Sequence, residues 1–481
     1  MHFARTGIDL AEFLPAQCPA AGRFADRLDP HLVRPPGRVT AIERNMSNNL
    51  EGAMWPIDRP NADHVERQWS GLSPRAAFIT PEFVTEYADG GGLGSYLYRT
   101  ARSLVEFGWK PEVFVTSKHA SSTLEMDGIL VHRVGPTLTD RVGWRLDRRV
   151  GLGGLDWAIE SLRVLHWAYA LKRALARREL LVKFAFVQSA DHFASGLFVR
   201  QGVLRPHVVR CSSAPDLYAE IDLEVTTTAN LRRRMELASI RRADLSYAPS
   251  QLVASHLSVV TGRRLEVIRP PALVDTGPRK SPPSGLPAKY LLHFGQLKRR
   301  KGTDWLVAAL PSAFVAMPDM RIVIMGPGTQ DDLQKWRAQL LPWSNQVAWL
   351  QPQSREIVRS IVANATAVVQ PSLIDNLPNT VIESLLEGVP VIGGAGGSID
   401  EMVVPGLTGE LVPMGDVAAL SSALIAAWSV PSSIARGFDW FSTGVGKDFS
   451  PERAIGALLQ LVESWHSTQR EVKLSRQGRG Q

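Results

Sequence analysis

Cysteine is nearly absent: Cys18 and Cys211 are the only two in 481 residues. Two thiols cannot build a disulfide framework, and neither stands in a Cys-x-x-Cys pair with histidine neighbours. A disulfide-stapled scaffold and a structural zinc site are therefore excluded, and a reducing compartment is the default. Long apolar runs are missing as well, since no stretch reaches the roughly 18 residues that a membrane-spanning helix needs. The most apolar pieces, 321–325 and 389–392, are strand-length and end near glycines. Asp9 and Glu12 interrupt the only apolar stretch near the amino terminus, so no export signal is expected there. No Asp-x-Asp pair occurs, which suits chemistry without a bound metal.

Neither disorder nor extreme charge marks the composition. Hydrophobic residues make up 44% and charged residues 21%, the balance of a soluble globular chain with a core to bury. The length predicts two to three domains of about 150 residues. The net charge of +7 is concentrated in clusters: Lys172, Arg173, Arg177 and Arg178; Arg232, Arg233 and Arg234; and Lys298, Arg299, Arg300 and Lys301. Such clusters suit an anionic partner, a phosphate ligand or an anionic lipid surface, although a basic run on its own is usually a solvated face. A nucleic-acid partner would rest on charge alone and is not expected.

Along the chain, residues 1–75 are rich in Pro, Arg, Asn and Asp without a period of 2 or 3.6, and predict an irregular extension. A first domain is expected over 76–275. It opens with the strand AAFITPEF, the loop YADGGGLGS and a helix carrying Leu97, Ala101, Leu104 and Val105 at helical spacing, followed by the strand KPEVFVTS. A glycine-rich loop opening a helix lets backbone amides approach an anionic ligand. Further strands are expected at 183–188, 207–210 and 245–248, with a helix over 231–242. Prolines, glycines and serines mark a linker over 276–288. A second strand–helix series fills 289–445, an amphipathic helix follows over 446–468, and 469–481 is expected to be a flexible tail. The whole reads as an α/β protein of two doubly wound, Rossmann-like domains facing across a cleft, with ligands at the carboxyl ends of strands.

Two segments carry chemistry. In PSLIDNLPNTVIESLLEG, Asp375 lies in a loop after a buried strand and Glu383 in the early turns of a helix; Pro378 breaks helical phase between them. The two carboxylates thus reach a common ligand from a loop and from a helix. Amides near Leu377, Asn379 and Thr380 point the same way and suit phosphate or sugar hydroxyls, though an acid in such a turn is also commonly an N-cap. In FGQLKRRKGTDWL, Lys301 and its basic neighbours face the same crevice, where fixed cations can neutralise a departing diphosphate. In QSADHFASG, Asp191 and His192 follow a predicted strand at the cleft edge; a lone histidine there is as often structural as functional.

The combination of GGLGSYLYRTARSL, FGQLKRRKGTDWL, IVIMGPG, DNLPNTVIESLLEGVPVIGGAGGSIDEMV and GLTGELVPMGD resembles the retaining glycosyltransferases of family 4, group 1 glycosyl transferases with the GT-B fold. The resemblance runs from about residue 76 to the final helix and is most specific in the carboxyl half. It implies that Glu383 grips ribose hydroxyls and Asp375 the transferred sugar. Asn376, Leu377, Pro378, Asn379 and Thr380 would line the pocket, and Lys301, with Arg300 and Gln296 beside it, would hold the diphosphate. Gly92 and Gly94 would approach from the first domain, Gly326 and Gly328 would border the nucleotide, and Glu401 would sit near the cleft. The catalytic candidates are Lys301, Asp375 and His192. This chain departs from the pattern in three places: Asp375 replaces the usual Glu, Gln296 stands where an Arg is common, and Ser212 where many members have His.

The resemblance implies retaining transfer of a sugar from a nucleoside diphosphate sugar, such as a UDP or GDP sugar, to an acceptor hydroxyl in polysaccharide or glycolipid assembly. Neither cofactor nor metal would be required, and the partners would be the nucleotide sugar and a glycan or glycolipid acceptor. The basic stretches near 172–178 and 232–242 suit a cytoplasmic protein touching the inner membrane face peripherally. The competing reading is a catalytically inactive GT-B protein that binds nucleotide sugars or acts as a scaffold, its activity lost through Asp375, Gln296 and Ser212. Donor turnover separates the two.

Overall fold

Short apolar strands alternating with helices form two sheets in the computed structural model, which describes residues 73–86, 91–136, 156–202, 205–212, 214, 217, 227–429 and 436–477. The extension expected over 1–75 lies outside the described residues up to position 72. The first sheet contains β1 (Arg75–Thr80), β2 (Lys110–Thr116), β3 (Ser122–Met126), β4 (Ile129–Val134), β5 (Phe186–Ala190), β6 (His207–Arg210), β7 (Leu245–Ala248) and β8 (Glu266–Val267). Its order is β3-β4-β2-β1-β5-β6-β7-β8, parallel except where β3 runs antiparallel to β4. The β5 and β6 strands are buried along their whole length, as strands covered on both faces must be. The β3–β4 hairpin was not among the expected elements; its turn places Asp127 and Gly128 at φ of 52° and 78°, the left-handed pair that a two-residue hairpin favours.

The second sheet contains β9 (Leu291–Phe294), β10 (Ile322–Met325), β11 (Val347–Leu350), β12 (Ala367–Gln370), β13 (Val391–Gly394) and β14 (Gly409–Val412), all parallel in the order β11-β10-β9-β12-β13-β14. Alternate residues of β10 feed two cores: Ile322 and Ile324 join Leu306, Leu310 and Trp336 on one face, while Val323 and Met325 join Val381, Leu385 and Trp440 on the other. In each sheet the first strand has neighbours reached by opposite windings: β1 lies between β2 and β5, and β9 between β10 and β12. Those two switch points are where open α/β sheets bind ligands.

The helices that position the site are α1 (Gly92–Glu106), α2 (Asp156–Glu179), α3 (Thr227–Arg241), α4 (Gln251–Thr261), α5 (Thr303–Ala316), α6 (Asn379–Leu386) and α7 (Pro451–Gln477). The last of these packs against α1 and β7 of the first domain. Ala454, Ile455, Leu458, Leu459, Val462 and Trp465 form its buried stripe at helical spacing. The tail expected from 469 is instead helical as far as Gln477, since 469–477 holds neither Gly nor Pro. Residues 478–481 lie outside the described residues.

Trp465 is 9% exposed on this stripe and Ser464 beside it faces solvent. Trp465→Ala should cost about 3–5 kcal/mol of stability in urea titrations, whereas Ser464→Ala should stay within about 0.5 kcal/mol. Equal small effects would show that the helix does not brace the fold.

Candidate active site

The loops after β9, β10, β12 and β13 meet at the carboxyl edge of the second sheet. The loop after β9 ends in a short turn, Arg299–Lys301, closed by Gly302 at φ 79°. A side chain at Gly302 would place its Cβ 1.8 Å from the Pro371 carbonyl oxygen, so only glycine lets the two loops touch there. The Leu373 amide donates to the Arg300 carbonyl at 2.9 Å, which fastens the loops together. Beneath them His293 bridges the Val369 carbonyl (2.8 Å) and Thr303 Oγ1 (3.1 Å), and burial holds its pKa down at about 4, so the ring is a neutral strut. Gly326 and Gly328 of the loop after β10 lie against Gly295 and Leu297. Gln296, on the same turn, is exposed.

Across this seam the Lys301 ammonium forms an ion pair with Asp375. Arg300 Nη1 stands 3.9 Å from the other carboxylate oxygen, and Ser372 Oγ donates to the first at 3.4 Å. The DNLPN turn that follows is strained and supported. Leu377 adopts φ 49°, and buried Ser398 both receives the Leu377 amide (2.6 Å) and donates to the Asp375 carbonyl (2.9 Å). A non-glycine residue in this region costs roughly 1–2 kcal/mol, which Ser398 helps to offset. Pro378 then starts α6, whose half-buried Glu383 has its carboxyl pushed up by burial while Arg99 opposes the shift.

The side chains of the turn reach the first domain. Asn376 donates through Nδ2 to the Ser212 carbonyl (2.6 Å) and accepts from Ser250 Oγ (2.8 Å). Asn379 accepts from Arg99 Nη2 at 2.9 Å, while Arg99 Nε holds the Pro271 carbonyl. Glu401 accepts the amides of Gln251 and Leu252 in the first turn of α4 and pairs with Arg269 at 2.5 Å. Glu401 is thus a helix cap, but for a helix of the opposite domain.

On the first-domain side, the glycine loop differs from expectation. The Gly94 amide donates to Glu82 Oε1 at 3.1 Å, and a side chain on Gly91 would collide with that carboxylate. Gly92 faces the second domain, opposite Asn379. At the end of β5, Asp191 Oδ1 accepts from the His192 amide (2.8 Å) and from the Ser212 amide and hydroxyl (2.8 and 2.5 Å). Asp191 thus ties its own turn to Ser212, while His192 Nδ1 is 3.9 Å from Glu236 Oε1. Burial holds the His192 pKa down, against the pull of Asp191. Phe193 and Ala194 follow at φ 55° and 45°; with Leu377 they make three of the four non-glycine residues of positive φ among the described residues. Backbone strain thus gathers at the two turns that face each other.

Arg99, Ser398 and Glu236 were not read from the sequence. An arginine and two serine- or glutamate-type groups on apolar faces were the available signals, but their partners lie far away in the chain.

Comparisons with known proteins bear on the family and the fold. Residues 288–429 match the family model described as glycosyl transferases group 1. The chain is 26% identical over 353 residues to a D-inositol 3-phosphate glycosyltransferase from Mycolicibacterium paratuberculosis, covering 71% of this chain and 68% of that one. It is 31% identical over 137 residues, 27% of this chain and 35% of the other, to a GDP-mannose-dependent monoacylated alpha-(1-6)-phosphatidylinositol monomannoside mannosyltransferase from Corynebacterium glutamicum. Among solved structures, sucrose-phosphate synthase from Thermosynechococcus elongatus superposes with a TM-score of 0.57 at 18% identity, over 84% of this chain and all of the other, a likeness of fold.

Glu236 is buried against Asp191, and burial followed by that neighbouring charge raises its pKa to about 7, with Arg232 and Arg233 opposing. The folded state thus holds a proton that the unfolded chain releases near pH 4.5, and stability from this group falls as pH rises from about 4.5 to 7. Chemical denaturation at pH 5 and pH 8 should show that fall, by roughly 3 kcal/mol, and Glu236→Gln should reduce it. An unchanged pH dependence in the variant would contradict the assignment.

Proposed function

Because the chain belongs to the group 1 glycosyltransferases and has their GT-B fold, we propose that it transfers a sugar from a nucleoside diphosphate sugar to an acceptor hydroxyl with retention of configuration. Its setting is glycan or glycolipid biosynthesis. The observation that carries the reading is the meeting of Lys301 and Asp375 at the switch point of the second sheet, with the first domain within hydrogen-bond reach of the same turn.

In this reading the Lys301 ammonium and the adjoining Arg300 stabilise charge growing on the departing diphosphate, a fixed electrostatic device in a water-poor cleft. Asp375 keeps the ammonium in place and faces the transferred sugar, and Glu383 takes ribose hydroxyls. The departing phosphate itself accepts the acceptor proton, so His192 need not act as a base, in line with an Asp191 carboxylate engaged by the His192 and Ser212 amides. Charge balance by side chains leaves no step that requires a metal. The corynebacterial relative, by its name, uses GDP-mannose, which supports a nucleotide sugar as donor.

For the acceptor side, α2 suggests a peripheral membrane contact. Arg178 is drawn inward onto Glu112, at 2.8 and 3.0 Å, but Leu180 and Leu181 are 85% and 76% exposed beside exposed Arg173, Arg177 and Lys183. Apolar side chains ringed by cations suit an anionic lipid surface. Among the described residues no helix is long and apolar enough to cross a membrane.

Two experiments test these readings. A thermal-shift and turnover panel of nucleotide sugars should find one donor class that stabilises the wild type. Lys301→Ala and Glu383→Ala should both lose that shift, with turnover down about 10²- to 10³-fold; equal shifts in all three proteins would remove these residues from the site, and binding without any turnover would favour an inactive binding protein. In vesicle sedimentation at low salt, anionic liposomes should retain wild type but not the double variant Leu180→Asp, Leu181→Asp. Indifference of wild type to such vesicles would end the membrane reading.

A further inference from the structure

The switch point of the first sheet holds a feature that the donor site does not use. Between the carboxyl ends of β1 (Ile79, Thr80) and β5 (Ser189, Ala190), roofed by Leu93 and Tyr96, lies a crevice walled by Arg210 from the end of β6. Its floor has room for about one water molecule, hence for one oxygen of a ligand rather than for a ring. Arg210 is 7% exposed, and its guanidinium stacks on Tyr96 with Cζ 3.5 Å from the ring centroid. Its Nε is buried and forms no hydrogen bond. No ion pair of this guanidinium occurs among the described residues.

A buried cation without an acceptor is costly, because the low dielectric that removes its water supplies nothing in return. The Tyr96 ring face offsets part of this cost, but no surrounding group among the described residues supplies an acceptor oxygen or a negative charge to the guanidinium. Tyr96 and Tyr247 share a hydrogen bond at 2.7 Å, Tyr247 donates to Gln188 at 3.0 Å, and all three are neutral. Arg99 lies close enough to feel the Arg210 charge, and it is itself a cation with a pKa lowered to about 10, chiefly by burial. Arg99 is engaged by Asn379 and Pro271, whereas Arg210 is not engaged by anything comparable. The fold thus brings positive charge to a crevice at the site where doubly wound sheets bind ligands, and leaves an arginine there with an unpaired donor.

We propose that Arg210 is the receptor for an oxyanion, a phosphate or carboxylate group, on the acceptor, with one of its oxygens entering the crevice beside Tyr96. The proposal rests on the reading of the first domain as the acceptor side. It makes Arg210 a specificity-determining residue: acceptors carrying the anion are oriented with their hydroxyl toward the Lys301–Asp375 seam, and neutral analogues lose that orientation.

The test uses the full chain and two probes, inorganic phosphate and acetate, titrated by calorimetry with and without saturating UDP or GDP, so that phosphate at the donor site is blocked in one arm. Wild type should bind one of the two anions in the presence of the nucleotide, and which one responds assigns phosphate or carboxylate. Arg210→Gln should weaken that binding by about tenfold or more while leaving nucleotide binding unchanged, and Arg210→Lys should retain part of it. In anion-free buffer Arg210→Gln should melt no lower than wild type, since it removes an uncompensated charge. Equal anion binding by wild type and Arg210→Gln, or no response to either anion, overturns the inference, and so does a much lower melting temperature for Arg210→Gln, which would make the arginine structural. If Lys301→Ala abolishes phosphate binding and Arg210→Gln does not, the anion sits at the donor site: this inference falls and the donor reading stands. If no nucleotide binds any of the proteins, the donor reading falls, while loss of anion binding in Arg210→Gln still supports the receptor.

Discussion

The ion pair between Lys301 and Asp375 joins the loops after β9 and β12 at the one place where the strand order of the second sheet reverses. Both side chains are mostly buried, 20% and 9% exposed, so each is the other's main compensation for lost water. The pair fixes the ammonium at the seam of the sheet and fixes the first residue of the DNLPN turn. Everything downstream in that turn follows from its position: the strained Leu377, the Ser398 support, the start of α6 and the approach of Glu383. Gly302 makes the pairing possible by letting the two backbones touch.

The same turn also joins the domains. Asn376 and Asn379 are engaged with Ser212, Ser250 and Arg99, and Glu401 caps α4 from across the cleft. A ligand that displaced or reoriented either asparagine would therefore act on the interdomain contacts directly. The link between the second-domain crevice and the first domain runs through these shared hydrogen bonds. The facing turn at Asp191 to Ala194 has the matching character, with a buried carboxylate organising amides and two residues held at positive φ.

Much of this was legible in local pattern. The strands at 207–210 and 245–248 stand where the apolar runs placed them, and the parallel architecture follows from the strand–helix alternation. The β3–β4 hairpin was missed although Asp127-Gly128 carries the turn signal and β4 is apolar, because β3 (STLEM) is short, mostly polar and largely exposed. Arg99 and Arg210 could not be read: each lies in an otherwise ordinary helix or strand, and what makes it informative is a partner 280 residues away in one case and the lack of an acidic partner in the other. Nor could the sequence show that Glu82, twelve positions upstream, takes the Gly94 amide that the glycine pattern offered to a ligand. Local periodicity reports elements; the assignment of each polar group depends on contacts formed only when both sheets are assembled.

The most direct test is a crystal structure of the chain soaked with UDP or GDP in the presence of a chelator. The account predicts a diphosphate at the carboxyl edge of the second sheet, a phosphate oxygen within hydrogen-bond distance of Lys301 Nζ, and ribose hydroxyls on Glu383. A nucleotide seated elsewhere, or one that binds only when a divalent cation is restored, would contradict it.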